Sequence, residues 1–279
     1  VMTAMGAKAT MAAKAATAGG GEGSRGGVTP EIRDLILALA DSKRLLGYRY
    51  AEWMLGAPEL ETGIALSSMA QDEWGHARLL YALLKDSEDV DALEHGREPG
   101  EYRNLEVLDS APATWADTVA LMVVVDAAIS VQLDALRASA YEPLRQRVEK
   151  LLEEERFHAA HGAAWVHRLA KGTEASAAAI RGAIESVLAP ALRWFGAEDG
   201  RGAALAEEGV VDASPDALRA RLLERIGPLL GEVGVTAPAA GSLGFDGFDE
   251  TRRRTGGGGP DAGTIERVRG DRNRAFLMD

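Results

Sequence analysis

Apolar residues recur along most of this chain at intervals of three and four, and no stretch alternates with the period of two that a half-buried strand requires. The pattern opens after Thr29-Pro30, an N-cap followed by a first-turn proline. It runs through Ile32, Leu35, Ile36, Leu39, Leu45 and Leu46, predicting a first helix to about Leu55. Gly56-Ala57-Pro58 breaks it, and Ile64, Leu66, Met69, Leu79, Leu80 and Leu83 carry a second helix to about Lys85, which makes an antiparallel hairpin. Residues 86 to 113, rich in Asp, Glu, Gly and Pro, form a connection long enough to cross to a second hairpin. A third helix starts at Thr114, where Thr114 and Asp117 have the spacing of a capping box, and ends before Pro143. The fourth takes Leu144 to about Ala170 and stops at Gly172. Two more helices are predicted from Thr173 to Phe195, kinked at Pro190, and from Ser214-Pro215 to Leu230.

The fold class that follows is all-α: a four-helix bundle with additional C-terminal helices. Residues 1 to 28 read as a disordered tail, since Ala, Gly, Thr and Lys there offer too little apolar surface to offset ordering entropy. Residues 29 to 230 read as the helical domain. Residues 231 to 279 read as an extended arm lying on the bundle or on a partner, with Phe245, Phe248 and Phe276-Leu277-Met278 as its apolar groups.

Composition narrows the chemistry. The absence of cysteine removes disulfides, thiolate metal sites and thiol nucleophiles, so a metal here would need carboxylates and imidazoles. A formal charge of -12 opposes nucleic acid and anionic membrane as partners. No spanning helix or secretory leader is read, and a cytoplasmic protein is the expectation.

The second helix contains Gln71-Asp72-Glu73-Trp74-Gly75-His76 and the fourth Glu153-Glu154-Glu155-Arg156-Phe157-His158. In each, Glu and His three apart share one helical face and can reach one ion. Their placement on the second helix of successive hairpins is the ferritin-like arrangement, completed in di-iron and di-manganese proteins by one carboxylate from each of the other two helices. On the third helix that carboxylate is Asp126, set among Met122, Val123, Val124, Val125 and Ile129. A carboxylate so placed needs a cation, or else a hydrogen bond to Ser130 or Gln132. The first helix departs from the pattern. Glu52 would lie ~15 Å along the axis from Glu73, too far to share an ion, and is assigned to structure. Asp41 is the one carboxylate near the right level, one turn from the ideal place. His161, one turn beyond His158, reads as a partly exposed helix histidine, with a supporting role behind the ligands as the alternative. Arg252-Arg253-Arg254 reads as solvated surface.

These residues resemble the phenylacetyl-CoA epoxidase subunit family. Ala57-Pro58, Gln71-Asp72-Glu73-x-Gly75-His76, Trp115-Ala116-Asp117, Asp126 and Glu154-Glu155-x-Phe157-His158 match its catalytic subunit. Ala38-Leu39-Ala40-Asp41 and Leu46-Gly47-x-Arg49-x-x-Glu52-Trp53 look like its non-catalytic sister. The resemblance implies a multicomponent oxygenase inserting one oxygen atom from O2 into an aromatic acyl-CoA. Two iron ions, or manganese, would be held by Glu73, His76, Asp126, Glu155 and His158, with Asp41 as a further candidate. An external reductase and a sister subunit would be partners, in a hetero-oligomer or at least a homodimer. Where the catalytic family has a glutamate on the first helix, this chain has Arg44, or Lys43 if the register slips by one. A basic residue there could neutralise the carboxylates without metal, so the alternative is a structural sister subunit with an empty or partial site. A stand-alone ferritin-like oxidase or manganese catalase is the second alternative.

Overall fold

The computed structural model describes residues 27–239 and 241–271, and the expectations for residues 1–26 and for Phe276-Leu277-Met278 lie outside them. The chain folds as an all-α, ferritin-like bundle. Helix α1 (Pro30–Trp53) begins where Thr29 Oγ1 accepts the Ile32 amide at 3.3 Å, with Pro30 in the first turn. From Leu35 to Gly47 α1 is buried on every side, which makes it the central helix. Helix α2 (Leu60–Tyr81) folds back along it, and its first turn packs so closely that a Cβ on Gly63 would meet the Met54 carbonyl oxygen at 2.5 Å.

The crossover that reads as a polar loop contains a short helix, α3 (Val90–His95), and two 3₁₀ turns. Its few core residues, Leu93, Tyr102, Leu105 and Leu108, are too sparse to register as a periodicity. The third helix of the bundle is built in three pieces. Helix α4 (Trp115–Ala120) starts with the expected capping box, Thr114 and Asp117 each accepting the other's backbone amide at 3.2 and 2.8 Å. A π-helical segment follows over Leu121–Val125, and α5 (Asp126–Asp134) continues from it. A π turn widens the helix and resets the angular position of what comes next, here Asp126. This helix ends at Asp134, well short of Pro143.

Helix α6 (Glu142–Ala170) crosses the π segment at Gly162, where a Cβ would meet Met122 Cβ and Val123 Cγ1 at 2.9 Å. Helices α7 (Glu174–Arg193), α8 (Arg201–Glu207) and α9 (Pro215–Val233) close the far side, with α7 and α9 packed on α4, α5 and α6. The stretch Trp115–Asp134 is long and apolar enough to cross a bilayer by composition, yet it is mostly buried as the interior helix of the bundle.

From residue 231 onward the described chain lies on its own bundle. Two-residue strands β1 (Phe248–Asp249) and β2 (Arg254–Thr255) pair antiparallel, and α10 (Ala262–Arg269) docks beside α3. The arginine run expected at the surface is partly core. Arg254 Nη2 bonds Asp109 at 2.7 Å, Arg253 Nη1 donates to Gln132 Oε1 at 3.1 Å, and both residues are buried. Partners supplied by the crossover and by α5 make that burial tolerable.

Gly162→Val is expected to destabilise the protein by about 1–3 kcal/mol, because neither the Met122 backbone nor Val123 has room to retreat. Urea unfolding of the variant measures it, and Gly182→Ala, at an open position inside α7, serves as the control that should not destabilise and should gain up to about 1 kcal/mol.

Candidate metal centre

Three carboxylates from three helices converge at mid-height: Glu73 from α2, Asp126 from the start of α5, and Glu155 from α6. With His158 they form a buried group whose ligand atoms all lie within 4.8 Å of one another, a set able to hold a metal ion. The centre of this group is taken by Lys43 of α1. Its Nζ donates to Glu155 Oε1 at 2.6 Å, Asp126 Oδ1 at 2.9 Å and Glu73 Oε1 at 3.1 Å, using all three ammonium protons. The Lys43 side chain is 0% exposed.

Of the two basic candidates on α1, Lys43 therefore enters the cluster and Arg44 does not. One residue on a helix is about a 100° turn, and Arg44 swings to Glu94 Oε2 at 3.0 Å and His95 Nδ1 at 3.1 Å. Asp41, carried as a further ligand, is not brought to the group. Its carboxylate is taken by Arg97, by the Tyr81 hydroxyl and by the Arg103 amide at 2.8 Å. Glu52 lies apart, bonded to Arg49 at 2.8 Å and Arg267 at 2.6 Å.

The two histidines are arranged as a crossed pair. His158 Nδ1 faces Glu73 at 3.1 Å and Asp126 at 3.3 Å, while its Nε2 is 3.4 Å from Asp72 on α2. His76 Nε2 is 2.5 Å from Glu154 on α6, and its Nδ1 lies 3.1 Å from Glu155 Oε1 without the alignment of a hydrogen bond. Each imidazole thus bridges an inner carboxylate and the acid that precedes the opposite motif's glutamate. Asp72 and Glu154 were not singled out by motif reading. Their signal was present in the repeated acid directly before each Glu-x-x-His. Tyr50 was also missed: its hydroxyl donates to Asp126 Oδ2 at 3.0 Å. Ser130 donates to Glu155 Oε2 at 3.2 Å, whereas Gln132 turns to Arg253. His161 is half-buried, and burial together with the His158 charge lowers its pKa.

Burial opposes the charge on every member, and the neighbours decide the outcome. Burial pushes the Lys43 ammonium down, but Asp126, Glu155 and Glu73 hold it protonated well above its usual range. Burial likewise works against charged His158, yet Asp126 and Glu73 raise it to about 11. Asp126 stays well below the ordinary carboxylate value against burial, through Lys43 and His158. Glu155 goes the other way: burial and the Asp126 charge raise it to about 7 in spite of Lys43. Three carboxylates thus face Lys43, His158 and also His76, whose pKa is raised against burial by Glu155 and Glu73, and Glu155 is the carboxylate that takes up a proton below about pH 7.

In donor type the group suits metal: hard carboxylate oxygens, two imidazoles, and an orphaned buried oxygen, Glu73 Oε2. With Lys43 in its centre the residues do not fit a pair of divalent ions. Those ions alongside the ammonium would set five positive charges against three carboxylates in a water-excluded core, and Nζ holds the point from which an ion would reach all three.

A cavity of about 540 Å³ opens beside the cluster, lined by Met122, Asp126, Ser130, Glu155 and Ala159, with the exposed Arg156 and Arg225 also in its wall.

The sequence profile of the phenylacetic acid catabolic protein family matches residues 27–251, most of the chain. The chain belongs to this family. Two relatives are different subunits of the 1,2-phenylacetyl-CoA epoxidase of Escherichia coli (strain K12). The first is 31% identical over 193 residues, covering 68% of this chain and 77% of the relative. The second is 28% identical over 196 residues, covering 67% of this chain and 62% of the relative, so less than two thirds of that protein is spanned.

Lys43→Met should cost about 3–5 kcal/mol, since it leaves the buried Glu73, Asp126 and Glu155 without the ammonium they share, and chemical denaturation reads it directly. A pH profile should carry the signature of the cluster. Glu155, raised from 4.5 to about 7, contributes stability that is full below about 4.5 and lost as pH rises through about 7. His158, raised from 6.5 to about 11, contributes stability that is full below about pH 6.5 and is lost progressively as pH rises from there to about 11. Thermal unfolding is expected to be highest at mildly acidic pH and to fall as pH rises through neutrality, and Glu155→Gln is expected to flatten the part of that fall below about pH 7. A wild-type curve level from pH 5 to 9 would contradict this.

Proposed function

We propose that this chain is a subunit of a multicomponent oxygenase of the phenylacetyl-CoA epoxidase type, and that its own centre is held by Lys43 rather than by metal. The observation that carries the reading is the Lys43 ammonium bonded to Glu73, Asp126 and Glu155 at once. In this role the protein supports a metal-bearing sister. The sister would take electrons from a separate reductase and transfer one oxygen atom from O2 to an aromatic acyl-CoA. Similarity to two proteins named as parts of one enzyme supports assignment to such an assembly.

A second reading keeps Glu73, His76, Asp126, Glu155 and His158 as ligands of two iron ions, or of manganese, and requires Lys43 to withdraw. The orphaned Glu73 Oε2 and the misaligned His76 Nδ1 favour it, because both are buried ligand atoms that the ammonium leaves unsatisfied.

Metal analysis after anaerobic reconstitution separates the two. The expected result is no stoichiometric iron or manganese in the wild type, and uptake in Lys43→Glu, which replaces the internal cation with a fourth carboxylate. Stoichiometric metal in the wild type, abolished in His76→Ala, would establish the second reading instead.

A further inference from the structure

Helix α10 is joined to the rest of the chain by a glycine hinge and held on the bundle chiefly by polar contacts. Upstream of the hinge Arg253 and Arg254 are buried anchors, and Gly256-Gly257-Gly258-Gly259-Pro260 then leads to the helix. Among the described residues nothing lies within 4 Å of a Cβ position at Gly256 or Gly257, which leaves that stretch room to rotate. Of α10 itself only Thr264, Ile265 and Val268 are buried, so apolar burial supplies a small part of the docking. The remaining contacts come from α1 and the crossover. Arg49 Nη2 donates to Thr264 Oγ1 at 2.7 Å, and the Tyr48 hydroxyl donates to the Arg267 carbonyl at 3.3 Å. Arg267 pairs with Glu52 at 2.6 Å and Arg269 with Glu98 at 2.6 Å.

The contact at His95 contains a conflict. Its Nδ1 lies 2.9 Å from the Val268 carbonyl oxygen, an acceptor, and 3.1 Å from Arg44 Nη2, a donor. One ring nitrogen either carries a proton or offers a lone pair, so it serves one of these neighbours at a time. Glu94 decides the neutral form. Its Oε2, bonded to Arg44 Nη1 at 3.0 Å, is 3.7 Å from His95 Nε2, which favours a proton on Nε2 and turns the Nδ1 lone pair toward Arg44. The Val268 oxygen then faces a lone pair. A second proton reverses the arrangement, because Nδ1–H donates to Val268 in the last turn of α10, and an imidazolium is stabilised at a helix C-terminus. Arg44 from α1 opposes that proton and Glu94 from α3 favours it. The other nearby charges, Arg97, Arg267 and Arg269, are engaged by Asp41, Glu52 and Glu98.

We propose that α10 is a releasable latch, docked while His95 Nδ1 carries a proton and loosened when that nitrogen is bare. The ring is partly exposed, so solvent protons reach it. Release swings α10 away on the glycine hinge and uncovers Tyr48, Arg49 and Glu52 on α1. It leaves Arg44 bonded to His95 and Glu94, so the Lys43 cluster still receives a single cation from α1. The latch therefore works independently of what occupies the cluster.

Imidazoles change charge across the neutral range, so the test compares the full chain at about pH 5.5 and about pH 8. Long-range proton–nitrogen NMR of the wild type reads the state of each His95 ring nitrogen. Hydrogen exchange, corrected for the intrinsic rate at each pH, reads the protection of the α10 amides. The expected result is Nδ1 protonated at the lower pH and bare at the higher, with α10 protection falling about tenfold between them. His95→Asn supplies a donor and an acceptor at any pH and leaves Glu155 in place, so it should abolish the α10 step. Nδ1 protonated at both pH values, or α10 protection that does not fall, overturns the latch. A step of the same size in His95→Asn overturns His95 as its trigger.

Discussion

The Lys43 ammonium, excluded from water and bonded at 2.6–3.1 Å to carboxylates from α2, α5 and α6, is the contact around which the bundle is arranged. A buried charge is tolerated only when its partners surround it, and here one donor group meets three acceptors from three other elements. The arrangement ties the helices at one level and fixes their rotation, because a turn of any of them would leave a charge uncompensated. Apolar packing alone is less selective, since a core of similar volume can be filled in several ways. The ammonium also sets the protonation of the group. It keeps Asp126 ionised, while Glu155, next to the Asp126 charge, is the member that retains a proton into the neutral range.

Several local features serve to bring those carboxylates together. The π segment Leu121–Val125 ends directly before Asp126, and the wider turn aims that side chain at Lys43 and Tyr50. Opposite it, α6 comes in close enough that only a glycine fits at position 162, which carries Glu155 and His158 in toward the cluster. The crossed imidazoles then link the interior to the α2–α6 surface through Asp72 and Glu154. The same pair of helices therefore connects the charged interior to the surface.

A second charged network shows how the chain separates its basic residues. Arg97, Tyr81 and the Arg103 amide take Asp41, and Glu94 and His95 take Arg44. These contacts remove a carboxylate and a guanidinium that lie within one turn of Lys43, so the cluster receives a single cation from α1. The crossover supplies most of them: α3 provides Glu94 and His95, Arg97 and the Arg103 amide follow it in the chain, and Tyr81 comes from the end of α2.

Helical periodicity, the breaks at Gly56-Ala57-Pro58 and Gly172, and the paired Glu-x-x-His motifs determined the class of fold, the hairpin order and the helices facing one another, because local spacing fixes which residues share a helical face. Asp126 was legible for the same reason: a carboxylate in an apolar run must be buried. Local spacing does not fix the rotation of one helix against another. Whether Lys43 or Arg44 fills the centre differs by about 100° of helix rotation, and only the packing of α1 against α2, α4 and α5 decided it. Asp41 and the arginine run at 252–254 depended likewise on partners brought in from distant segments, Arg97 for the first, and Asp109 and Gln132 for the second. The burial of a polar side chain depends on what the remainder of the chain places beside it, and that information resides in the tertiary structure.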